Sequence, residues 1–177
     1  LMLITPGIDI LKGSYEDFGI PGAIVAEFLR ENRIIPEKND LNDILFLLTP
    51  AETKEKLSHL VDLLVRFESF IDADAPMEKV LPLIYEQYET HYQGYTIRKL
   101  CQEMHNFYKD RQVSTCQKQL FQKEYFPPYA MSPIKAEGEY IRGHGELIDL
   151  SQAEGRVALE GALPYPPGIL CIHPGEV

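Results

Sequence analysis

The sequence predicts an α+β chain, a small α/β unit followed by a segment that mixes helices with short strands. Three observations carry this. Two apolar runs, Leu1–Ile4 and Ile44–Leu48, have strand length, while the stripes between and after them recur at helical spacing. Near the end, Leu147-Ile148, Val157-Ala158-Leu159 and Ile169–Ile172 are brief apolar runs separated by turn residues.

Leu1–Ile4, stopped by Pro6-Gly7, reads as a strand buried on both faces. A polar loop through Gly13 and Gly19 leads to Pro21, which suits the first turn of a helix because its missing N–H costs nothing there. Ile24, Val25, Phe28 and Leu29 form the apolar stripe of that helix. Arg33–Glu37 reads as a strand with Pro36 at its end or on an edge. Ile44–Leu48 reads as a central strand. In Thr49-Pro50-Ala51-Glu52, Thr49 can cap a helix, Pro50 fits its first position and Glu52 can close a capping box. Leu57, Leu60, Val61, Leu64, Phe67 and Ile71 then keep helical period, so 1–71 reads β-α-β-β-α.

Asp72-Ala73-Asp74-Ala75-Pro76 is the expected boundary, which divides the chain into 1–71 and 72–177. Beyond it, Val80, Leu81, Ile84 and Tyr88 predict one helix, and Ile97, Leu100, Cys101, Met104 and Tyr108 another after a turn at Gly94. Ser132-Pro133 opens a short helix that Gly143-His144-Gly145 breaks.

Lys and Arg number 17 against 27 Asp and Glu, so the net charge of -10 argues against a basic nucleic-acid face. Cys101, Cys116 and Cys171 are odd in number and lack C-x-x-C spacing, which points away from disulfides and zinc and toward a reducing compartment. No apolar run approaches the ~20 residues that cross a bilayer and no signal peptide opens the chain. A cytoplasmic protein is expected. A strand already under way at Leu1 and the blunt end at Pro174-Gly175-Glu176-Val177 add the expectation of a fragment.

The residues show no self-contained catalytic apparatus. His59, His91, His105, His144 and His173 have no metal-ligand spacing and read as surface or capping histidines, so no metal is expected. Asp72 and Asp74 read as a helix-end cluster. Glu37 stands out because Pro36 restrains it and Ile34-Ile35 lead into it; such a carboxylate could pair with an ammonium ligand. The bland alternative is an exposed Glu beside Lys38. Ala162–Gly168 is a rigid aromatic turn, and Tyr85, Tyr88, Tyr92 and Tyr95 suggest packing more than nucleic-acid stacking.

Read together, Tyr15-Glu16-Asp17-Phe18-Gly19-Ile20-Pro21, Arg33–Lys38, Ile44–Glu52, Gly94–Arg98, Cys101–His105 and Glu160–Gly168 resemble the C-terminal portion of the bacterial ornithine/lysine/arginine decarboxylases. Pro36-Glu37-Lys38 and Gln102-Glu103-Met104-His105 are most similar to the ornithine branch. The resemblance covers essentially the whole chain. It implies pyridoxal-phosphate enzymes of the aspartate-aminotransferase fold type, with 1–71 as a portion of an aminotransferase-like small domain and 72–177 as the decarboxylase C-terminal domain.

The family's cofactor lysine follows a histidine, and no His-Lys dipeptide exists here. The resemblance therefore implies that this segment holds neither cofactor nor catalytic residue and is inactive alone. It implies one site residue, Glu37, as the partner of the substrate's distal ammonium. It also implies that the missing cofactor-binding domain is a partner, in a homodimer or larger assembly that turns ornithine into putrescine and CO2. A lysine or arginine substrate, or a stand-alone non-catalytic binding or regulatory module, is the alternative. The surfaces expected to face the missing domain are Gly19-Ile20-Pro21 and the Tyr165–Gly168 turn.

Overall fold

The chain opens with β1 (Met2–Ile4), a hairpin of β2 (Ile8–Asp9) and β3 (Ser14–Tyr15), and helix α1 (Gly22–Glu31). β4 (Lys38–Asn39), β5 (Asp43–Leu45) and the long helix α2 (Lys54–Asp72) follow. The computed structural model describes residues 1–9, 11–163 and 170–177. It divides into two units, Leu1–Thr115 and Cys116–Val177.

In the first unit the strands form an antiparallel sheet of order β1-β5-β4, with Met2 and Lys38 both opposite Leu45 and Leu3 and Asn39 both opposite Ile44. Successive side chains leave a strand on opposite faces. Ile44 is buried, and Leu3 packs against the same core, while Met2 and Ile4 on the other face are more than half exposed. The expectation of a strand buried on both faces is therefore corrected for β1. It is an edge strand, and among the described residues nothing covers its outer face. The run at Ile44 does supply the central strand, but only through Leu45; Leu47 and Leu48 are exposed.

The inner face is covered by α1 and α2. Ile24, Val25, Phe28 and Leu29 meet Leu60, Leu63, Phe67 and Phe70, with the Phe28 ring 5.1 Å from Phe67. Each such side chain contributes about 1.5–3 kcal/mol when fully buried. Helix α2 starts later than expected. Thr53, not Thr49, is its cap, accepting the Lys56 N–H at 3.4 Å. Thr49 closes a preceding turn instead, accepting the Ala51 N–H, and Glu52 pairs with Lys56.

Arg33–Glu37 is not a strand, and the reason is the end of α1. Arg33 takes a left-handed φ of 67°, its N–H donates to Arg30 O and that of Ile34 to Leu29 O. This is a Schellman termination, which returns Ile34 to the core. Backbone bonding to β5 resumes at Glu37, and the strand itself begins at Lys38.

The Asp72–Pro76 punctuation ends α2 but does not separate one core from another. Asp74 (φ 46°) makes the same termination, with Ala75 N–H donating to Phe70 O. Ala75, Met77, Val80, Leu81, Ile97 and Cys101 then join the cluster of Phe67 and Ile71. The expected helix through Val80–Tyr88 is three short pieces, α3 (Met77–Val80), α4 (Pro82–Gln87) and α5 (Glu89–Tyr92). The next, α6 (Ile97–Asp110), is a single helix capped by Thr96. α7 (Val113–Gln119) runs across the division between the units.

In the second unit α8 (Pro133–Ile141) has Pro133 in its first turn as expected, and Gly143 at φ 75° ends it. The strands expected at Leu147-Ile148 and Val157–Leu159 do not form. β-Pairing among the described residues there is limited to isolated bridges, Tyr129 with Glu176 and Ala162 with Ile172, while Ala158 makes backbone hydrogen bonds with Gly175 and Glu176 without forming a strand. The Pro164–Gly168 turn and the start of the Ile169–Ile172 run lie outside the described residues. Ala136 is the one buried hydrophobic side chain described in this unit. Among the described residues no helix is long and apolar enough to cross a membrane.

Candidate functional site

Glu37 lies one residue ahead of β4. Its N–H donates to Leu45 O at 2.9 Å, continuing the ladder with β5, and Pro36 beside it is buried. The side chain is exposed, and no described residue donates to its carboxylate or pairs with it, Lys38 included. Ile35, two residues earlier, is 82% exposed and Leu47 68%. On the opposite side of β5 the Leu1 carbonyl accepts the Phe46 N–H at 2.7 Å. An exposed carboxylate without a partner suits an ammonium group once water is excluded. On the outer strand face, burial raises the Asp43 carboxyl above its ordinary range, and the Asp40 charge adds to this while Lys38 opposes it.

A second cluster lies at the other end of the β4–β5 hairpin. Asn42, in its turn, donates through Nδ2 to Pro6 O (3.1 Å) and Ile20 O (3.3 Å), and its carbonyl accepts the Thr5 N–H at 2.8 Å. The Thr5 hydroxyl also donates to Ile20 O. Gly7 and Gly19 cross here. A Cβ on Gly7 would stand 2.5 Å from Gly19 Cα, and one on Gly19 would collide with His105 Nδ1. Only glycine permits that approach. Gly19 and Pro21 are therefore buried within the unit, and of the expected surface at Gly19-Ile20-Pro21 only Ile20 is partly exposed.

His105 comes from α6 and is fully buried. Its Nε2 donates to Glu16 O at 2.9 Å, and neighbours on the same helix face hold the same loop. Gln102 donates to Asp17 O at 2.9 Å, Lys109 pairs with Asp17, and Arg98 lies 4.5 Å over the Phe18 ring. His105 Nδ1 and Asn42 Oδ1 are buried with no hydrogen-bond partner. The expectation of a surface or capping histidine fails for His105. The signal was in the sequence, since His105 continues the buried positions Ile97 and Cys101 at helical spacing.

The other flagged residues are dispersed. His59, His91, His144 and His173 are exposed. His144 bonds Glu139, and that bond above all holds the Glu139 carboxyl below its ordinary range. No group of three or more His, Cys, Asp or Glu among the described residues is placed to hold a metal. Tyr92 and Tyr95 pack edge-on at 5.6 Å, and Lys99 sits 3.9 Å over Tyr95. In the second unit, an open depression between Ile134, Tyr140 and Leu159 has no Lys, Arg, His, Ser, Thr or Cys among its described lining. Pyridoxal phosphate needs an enclosed amine for its aldehyde, and no lysine of this chain is buried. The described residues do not fit that cofactor on their own.

Two family models match the chain. The Orn/Lys/Arg decarboxylase major domain matches residues 1–56, and the Orn/Lys/Arg decarboxylase C-terminal domain matches residues 114–177. The inducible ornithine decarboxylase of Escherichia coli (strain K12) is 58% identical over 177 residues, 100% of this chain and 24% of that protein. The inducible ornithine decarboxylase of Lactobacillus sp. (strain 30a) is 55% identical over 175 residues, 99% of this chain and 24% of that protein. The solved structure of the E. coli constitutive lysine decarboxylase matches with a TM-score of 0.91 at 32% identity, covering 99% of this chain and 24% of that one. The chain thus spans about a quarter of the length of the relatives it matches.

Proposed function

Since the chain belongs to the Orn/Lys/Arg decarboxylase family, we propose that it is a segment of an ornithine decarboxylase, which releases CO2 from ornithine and leaves putrescine. The observation that carries the substrate is the identity, 58% to an ornithine decarboxylase over the whole chain against 32% to the lysine decarboxylase of the same fold. In this reading pyridoxal phosphate is held by the remaining three quarters of the polypeptide and acts there as electron sink. This segment performs no step on the cofactor and is inactive by itself. The working enzyme is cytoplasmic and oligomeric.

The contribution of this segment is orientation. Glu37 pairs with the distal ammonium of ornithine, in a site from which water is excluded when the cofactor-binding domain closes over it. Its exposed carboxylate, without a partner among the described residues, supports this role.

Expression of the whole reading frame that contains the segment tests the reading. CO2 release should favour ornithine over lysine and arginine by more than about tenfold in kcat/KM. The 177-residue chain alone should release none. A preference for lysine or arginine, or turnover by the short chain, would overturn it.

A further inference from the structure

We propose that His105 is a positioning residue for the hairpin that carries Glu37; its bearing on catalysis rests on the reading of Glu37 above. His105 belongs to residues 57–113, which neither family model covers. That stretch is not a connector. Through α6 it holds the Tyr15–Gly19 loop, and the loop in turn holds the sheet.

The path runs through three consecutive sets of hydrogen bonds. His105 Nε2 donates to Glu16 O at 2.9 Å, and the Glu16 N–H donates to Gly7 O at 2.9 Å. The Ile20 N–H donates to Pro6 O at 2.8 Å, and Asn42 Nδ2 bonds both Pro6 O and Ile20 O. The Gly22 N–H to Leu41 O and the Thr5 N–H to Asn42 O, each 2.8 Å, then fix the β4–β5 turn. The open end of that hairpin is closed by the Glu37 N–H on Leu45 O.

The chemistry of the ring separates this role from simple core filling. A carbonyl can only accept, so Nε2 carries a proton. Nδ1 is left against Gly19 with no partner, and Asn42 Oδ1 is orphaned nearby. An apolar side chain at 105 would fill the space without an orphaned nitrogen. What it would lose is the bond to Glu16, and the crossing of Gly7 and Gly19 would be free to open.

Two polar variants of graded length test the proposal in the 177-residue chain. Gln in His105→Gln can still reach Glu16 O, whereas Asn in His105→Asn is too short. Amide hydrogen exchange is read at Thr5, Gly22 and Glu37, with Leu63 and Phe67 of α2 as reference. The Asn variant should exchange about tenfold faster at the first three and unchanged in α2, and the Gln variant should stay within about threefold of the native chain. A folded Asn variant with native exchange at Thr5, Gly22 and Glu37 overturns the proposal. Should the Asn variant not fold, nitrogen NMR of the native chain decides. A protonated, hydrogen-bonded Nε2 supports the role, and a ring protonated at Nδ1 alone sinks it. In the whole decarboxylase, His105→Asn should raise KM more than it lowers kcat, as Glu37→Gln should. If Glu37→Gln leaves KM unchanged, the reading of Glu37 fails, while the exchange data still decide His105.

Discussion

Glu31 caps a helix to which it does not belong: its Oε1 accepts the Ile84 N–H at 3.1 Å and its Oε2 the Leu83 N–H at 3.3 Å. Helix α4 has no side-chain cap of its own, since Leu81 stands at the cap position and Pro82 follows. The last residue of α1 thus satisfies the first free amides of α4 and favours the positive end of its dipole. Because α1 and α4 are more than 50 residues apart in sequence, the contact joins the two halves of the first unit.

Glu31→Ala should lower unfolding free energy by about 1–2 kcal/mol, the usual cost of losing a good cap. Urea denaturation of the first unit reads this directly. Glu27→Ala, which removes only an exposed pair with Arg30, serves as control and should stay within about 0.5 kcal/mol.

Arg33 and Asp74 hold left-handed φ values that glycine adopts without a Cβ penalty. Arg33→Gly and Asp74→Gly should each stabilise by roughly 0.5–1 kcal/mol, the αL penalty less glycine's added unfolded-state entropy. Gly143→Ala, at the same kind of position, should destabilise. A fall in Tm for both glycine variants would contradict the argument.

Burial pushes the Cys101 thiol up to about 12, against the pull of the Arg98 charge. Alkylation near pH 8 should therefore leave Cys101 untouched until denaturant is added, since the thiolate is the reactive form. The linkage has a definite sign. Above its ordinary value of 9.0 the unfolded chain loses this proton while the folded chain keeps it to about 12, so stability should decline as pH rises through that window. Peptide mass mapping after labelling checks the reactivity, and an alkaline denaturation series checks the linkage.

Glu37→Gln in the whole decarboxylase keeps shape and removes charge. The expected cost in kcat/KM on ornithine is about 2–5 kcal/mol, the range for losing one partner of a desolvated pair. Much of it should fall on KM, because the contact is remote from the breaking bond. Folding stability should be unchanged, since the side chain is exposed and unpaired in this chain. A loss under about threefold, 0.7 kcal/mol at 1.36 per tenfold, would remove Glu37 from the site.

What was legible in the sequence was periodicity. The stripes of α1 and α6 and the central strand at Ile44 stand where the apolar spacing puts them. In α2 the helix is as expected, but its buried face turns to Leu60, Leu63, Phe67, Phe70 and Ile71 and leaves Leu57 and Val61 exposed. Chain reversals were less so. Arg33 and Asp74 in left-handed turns carry no glycine signal, so a strand was expected where α1 closes and a domain boundary where α2 closes. Thr49 and Thr53 both offer a hydroxyl ahead of a helix, and only the fold chooses between them. Glu37 was singled out because Pro36 restrains it and Ile34-Ile35 lead into it. The crossing of Gly7 and Gly19 under Asn42 and His105 was not, because it joins four residues scattered over nearly 100 positions. In the second unit, apolar runs such as Leu147-Ile148 lack a partner to pair with, and an isolated run does not make a strand.

The open side of β1 also bears on how this polypeptide behaves in solution. Leu1–Ile4 has no lysine or proline to guard it, and Ile44–Leu48 beside it is five apolar residues without a charge. Natural sheets guard such borders because unpaired amides and carbonyls template the addition of another strand. Separated from whatever shields that face, the chain carries the features of a cross-β nucleus: short, apolar, uncharged and able to stack edge to edge. Insolubility on production of this piece by itself would then reflect strand recruitment at β1 rather than misfolding of the core. A single outward charge, Ile4→Lys, is the change that would keep it dispersed.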